Sequence, residues 1–115
     1  MIDLINIAIA VLSIAFGAIG WLAPRYTMDK LDMRAGETTM ALGEVRAASG
    51  ALFVGLGVGA LLFWTPVAFA MIGCAWGGAA IGRLTSLIVD GRTSSKITFF
   101  VVEVLVGVVA LVVNI

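Results

Sequence analysis

Residues 97–115 read ITFFVVEVLVGVVALVVNI, and the only charge among them is Glu103. As a helix the run is about 28 Å long, enough to cross a hydrocarbon core of about 30 Å. A carboxylate near the centre of such a helix costs about 2.5–3.5 kcal/mol on insertion scales. Intramembrane acids are therefore functional-site candidates by default and usually have a partner.

Three more runs of this kind precede it. The spacing predicts spans over about residues 2–22, 42–63, 67–89 and 97–115, each near the 20 apolar residues a crossing needs. Trp64-Thr65-Pro66 makes a tight helical hairpin, with Pro66 suited to open the next helix. Residues 90–96 join the third and fourth spans, and Gly91 fits a helix end. The expected fold is an all-α integral membrane protein: one membrane domain over residues 1–115, built as an antiparallel bundle of four transmembrane helices. Pro24 ends the first helix. In the connection over residues 23–41, Tyr26, Met28, Leu31 and Met33 alternate with charged residues, which predicts a partly interfacial segment.

Composition agrees. Hydrophobic residues make up 62% of the chain and charged residues 12%, against about 25% charged in soluble domains; the mean hydropathy is +1.16. Seven basic and seven acidic residues cancel, which argues against a nucleic-acid partner. The single cysteine, Cys74, lies in an apolar run and reads as a small core residue. No histidine is present, so the commonest general base and transition-metal ligand is absent. The start, Met1-Ile2-Asp3, has an acid and no basic residue, unlike a cleaved signal peptide.

All seven basic residues cluster at one set of helix ends: Arg25, Lys30 and Arg34 in the first connection, Arg92 and Lys96 in the third, Arg46 and Arg83 near those ends. The positive-inside rule then places connections one and three in the cytoplasm and both termini outside. Trp21 and Trp64 fall at opposite helix ends, as interfacial anchors do. Small residues at four-residue spacing let membrane helices approach closely. Ala47, Ala51, Gly55 and Gly59 in the second span, and Gly73, Gly77, Gly78 and Gly82 in the third, are the expected packing seams, within the chain or between copies of it.

Arg83 precedes Asp90 by seven residues, and Glu103 follows Lys96 by seven. Each is then about 10 Å from its own helix end, so in an antiparallel hairpin the two meet at one depth and should pair. Glu44 and Arg46 enter the second span from the same side. They point in nearly opposite directions, since successive helical positions turn by about 100°. Glu44, Arg46, Arg83, Asp90 and Glu103 are the candidate polar cluster. It reads as an ion-pair network fixing helix register, a site for a small polar ligand or lipid headgroup, or a proton pathway. A metal site through its carboxylates is disfavoured by the two arginines, and no cofactor motif occurs. No catalytic constellation emerges, which points away from an enzyme.

Gly43-Glu44-Val45-Arg46-Ala47, Gly82-Arg83-Leu84-Thr85-Ser86-Leu87, the Asp90-Gly91 turn, Ala23-Pro24 and Glu103 together resemble an uncharacterised family of small bacterial four-helix membrane proteins. It is catalogued as a domain of unknown function and is similar to the DoxX-like superfamily. The resemblance covers nearly the whole chain. It implies a multi-pass protein of the bacterial inner membrane and no particular activity. Some DoxX-like relatives are linked to thiosulfate–quinone oxidation or act as membrane chaperones, which is fold-level analogy only. Small multidrug-resistance transporters match in length, but their working carboxylate lies in the first span, where this chain has only Asp3. The expected function is a membrane-embedded binding or accessory protein whose Glu/Arg cluster docks a lipid, a small polar ligand or a partner membrane protein, a second copy included. The alternative is a small proton-coupled transporter with Glu103 as carrier.

Overall fold

The computed structural model describes all residues, 1–115, and is entirely helical. Five helices follow one another: α1 (Ile2–Leu22), α2 (Pro24–Lys30), α3 (Met40–Phe63), α4 (Pro66–Val89) and α5 (Ser94–Asn114). All except α2 are long and apolar enough to cross a membrane.

The helix limits have local causes. Proline opens α2 and α4, where its missing N–H costs nothing. Thr65 caps α4 by accepting from the Ala68 N–H at 3.2 Å, and Thr93 caps α5 by accepting from the Lys96 N–H at 3.1 Å. That second cap starts α5 at Ser94, three residues ahead of the apolar run. Gly91, at φ +95°, makes the left-handed turn after α4, and Lys96 Nζ closes the loop onto the Gly91 carbonyl at 3.0 Å. In the α3–α4 connection the left-handed residue is Trp64, φ +49°, whose ring stands edge-on to Phe69 with centroids 5.4 Å apart. Within the connection over residues 23–41, only Pro24–Lys30 form a helix, α2, with Pro24 and Met28 buried and Tyr26 exposed.

The chain divides into two compact units, residues 10–62 and residues 1–9 with 63–115. In the second, α4 and α5 are an antiparallel hairpin in glycine contact. A Cβ on Gly73 would lie 2.9 Å from Ala110 Cβ, and one on Gly107 would lie 2.9 Å from the Gly77 nitrogen. Phe69, Ile72, Gly73, Trp76 and Ala80 form the buried stripe of α4 at helical spacing. Cys74 falls outside that stripe and is exposed, so the sequence reading of it as a core residue is corrected.

In the other unit α1 meets α3 antiparallel, at closer range. A Cβ on Gly50 would lie 2.5 Å from the Trp21 nitrogen, one on Gly20 would lie 2.6 Å from the Ser49 carbonyl oxygen, and one on Gly57 would lie 2.6 Å from the Ala10 carbonyl oxygen. Residues Ala47–Ala51 of α3 form a π-helical turn in which the Leu52 N–H bonds back to the Ala47 carbonyl. Small residues throughout this widened turn let the Ser49–Gly50 backbone lie directly on α1.

These contacts relocate the expected seams within the chain. On α3, Ala47, Ala51 and Gly55 are exposed, and side chains built at Gly55 or Gly59 would meet nothing within 4 Å. The seam runs about 100° around the helix, through Gly50, Val54 and Gly57, because that is where α1 presents Gly17 and Gly20. On α4, Gly73 and Gly77 touch α5, whereas Gly78 and Gly82 face open space. Gly50→Ala should therefore destabilise the protein by about 1–3 kcal/mol through overpacking. Gly55→Ala and Gly59→Ala should change stability by no more than about 0.5 kcal/mol. Unfolding of the three variants in detergent micelles checks this ordering.

Candidate functional site

Glu103 shares one helical face with Gly107 and Ala110, the residues that seat α5 on α4. Its position on that seam buries it to 8% exposure. The antiparallel register then carries Arg83 alongside. Arg83 Nε donates to Glu103 Oε1 at 3.1 Å and Nη2 donates to Oε2 at 3.0 Å. The two parallel bonds form the fork geometry that gives arginine–carboxylate pairs both strength and direction. The guanidinium carbon also lies 5.4 Å from the centre of the Phe99 ring, one turn before Glu103. Arg83 is the more open partner: 32% of its side chain is exposed.

The remaining members of the predicted cluster have other engagements. Asp90 closes α4 and accepts from the Ser86 hydroxyl at 3.0 Å. Glu44 and Arg46 belong to the other compact unit. There Glu44 is exposed, and Arg46 Nη1 donates to the Trp21 carbonyl at 2.8 Å. That carbonyl is in the last turn of α1, where backbone acceptors lack helical partners and the dipole favours a cation. The Arg46 face of α3, with Ser49 and Gly50, is thus the face laid on α1.

One polar pair escaped the sequence reading. Asn6 and Asn114 exchange side-chain amide bonds at 2.9 and 2.8 Å, and Asn114 Nδ2 also reaches the Ala110 carbonyl at 2.7 Å. Asn6 is 4% exposed. The signal was present: Asn6 is a lone amide in an apolar run, as Glu103 is a lone acid. Phe99 gave no such signal, being one of two adjacent phenylalanines, Phe99 and Phe100, near its helix end. No buried side-chain nitrogen or oxygen is left unsatisfied, which is what a low-dielectric interior requires.

Residues 2–114, nearly the whole chain, match the family model described as a domain of unknown function (DUF4345). The chain belongs to this family. No curated protein and no solved structure matches it.

Chemically, the Arg83–Glu103 pair offers a carboxylate already satisfied by two donors and a guanidinium with N–H groups still to give. No group of three metal-ligating side chains gathers anywhere. Arg83→Gln or Glu103→Gln alone should cost roughly 3–5 kcal/mol by stranding the other charge. The double substitution should cost much less than the sum of the two. A double-mutant cycle from unfolding in detergent measures the coupling; additive losses would contradict an ion pair that fixes register. The same cycle on Asn6→Ala and Asn114→Ala should give a smaller coupling, about 0.6–2 kcal/mol.

Proposed function

We propose that this protein is a multi-pass component of the bacterial inner membrane, an antiparallel four-helix bundle similar to DoxX-like proteins, that binds rather than transforms its ligand. In this reading the first and third connections face the cytoplasm and both termini lie outside. The Arg83–Glu103 pair is the recognition element. It serves as an accessory site for a lipid, a small polar ligand or a partner membrane protein.

The observation that carries the reading is the asymmetry of the pair. Glu103 is nearly enclosed and holds two bonds, whereas Arg83 keeps a third of its side chain open. A pair serving architecture alone gains nothing from an exposed guanidinium edge, since unsatisfied donors in hydrocarbon each cost free energy. No histidine accompanies the pair, and a carboxylate locked in a two-bond fork is a poor shuttle. Both features support binding over proton transport, the second function that a deep Glu103 suggests.

Proton flux decides between them. Purified protein in liposomes carrying an interior pH dye should pass no more protons than empty liposomes under an imposed potential. Glu103→Gln should leave that leak unchanged. Flux well above the empty-vesicle leak that disappears in Glu103→Gln would replace the binding reading with a proton-coupled transporter.

A further inference from the structure

The open edge of Arg83 specifies a ligand chemistry. A guanidinium carries five N–H donors in one plane. Glu103 takes one from Nε and one from Nη2. Both N–H groups of Nη1 and the second of Nη2 remain, on the edge turned away from Glu103, while the Phe99 ring lies near the guanidinium. If α4 crosses a membrane, this edge stands about 10 Å along the helix from Asp90. That is within the depth from which a long arginine side chain reaches toward the headgroup region. The acceptor that meets two or three guanidinium N–H groups best at such a depth is an anionic group with several oxygens, attached to something apolar.

The surroundings fit such a group. The next residue on α4, Gly82, is exposed, and a side chain there would meet nothing within 4 Å. About a third of the Arg83 side chain itself, 32%, is exposed, so the guanidinium can be reached from outside the hairpin. Toward the α4–α5 turn the charges are Asp90, already bonded to Ser86, with exposed Arg92 and Lys96, whose amine is on the Gly91 carbonyl. With Arg83 and Glu103 the hairpin end carries three cations against two carboxylates, an excess that favours an anion.

Resting on the binding reading above, we infer that Arg83 holds the phosphodiester of a membrane phospholipid, with Glu103 as the positioning residue that aims the guanidinium edge outward. The ligand is the phosphate of the lipid, not free inorganic phosphate. Its acyl chains lie along the apolar surface of the hairpin.

Native mass spectrometry of delipidated protein in detergent tests this. Added phosphatidylglycerol should bind the unaltered protein at least about tenfold more tightly than diacylglycerol, the equivalent of one charge-assisted hydrogen bond of about 1.4 kcal/mol. Arg83→Lys keeps a cation opposite Glu103 but loses the fork, and should erase that preference. The comparison of the two lipids on unaltered protein stands even if the variant does not fold. Equal binding of both lipids would overturn the proposal. So would a preference that survives in folded Arg83→Lys, or displacement of phosphatidylglycerol by excess inorganic phosphate. Failure here with no proton flux in the liposomes removes only the phospholipid; Glu103-dependent flux removes the binding reading beneath it.

Discussion

Two bonds between Arg83 and Glu103 do what apolar packing cannot. In a hairpin of helices as hydrophobic as α4 and α5, one longitudinal register exposes nearly as little polar surface as the next, so apolar burial alone selects none of them. A fork of two charge-assisted bonds has one geometry, and sliding by a residue breaks both. The glycine contact at Gly73, Gly77 and Gly107 requires that same register, since only there do two backbones meet without a side chain between them. Electrostatics and sterics thus select the same alignment, while at the far end of α5 the Asn6–Asn114 amide pair ties that helix to the start of α1 instead.

The unit built from α1 and α3 uses the same economy with different atoms. Gly17, Gly20, Gly50 and Gly57 bring backbone to backbone, and the π-helical turn at Ala47–Ala51 widens α3 where α1 rests on it. Arg46 finishes the contact by donating to the Trp21 carbonyl. Here the arginine has no acid across from it. It answers the orphaned acceptors and negative dipole end of a helix, so a cation in an apolar segment has two structurally distinct uses within one small chain.

Much of this was legible from residue order. Helix length and hydropathy mark the four long helices, since they depend on the local run of side chains. The Arg83–Glu103 contact follows from counting outward from one turn, because a short hairpin leaves little freedom of register. The packing face of α3 was not legible. Four-residue spacing identifies Ala47, Ala51, Gly55 and Gly59 as a smooth stripe, but which stripe is used depends on where a helix distant in sequence presents Gly17 and Gly20. Arg46 posed the same difficulty: its partner is a backbone carbonyl, which every residue has and no sequence advertises. Asn6 and Asn114 are separated by almost the whole chain, so neither predicts the other until the ends are brought together.

That last pair constrains more than packing. Asn6 lies in the second turn of the first long helix and Asn114 is the last residue of the final one, and their amides are in direct hydrogen-bonding contact. The two chain ends therefore leave the protein from the same place. A short peptide could therefore join the ends of this polypeptide into a closed circle.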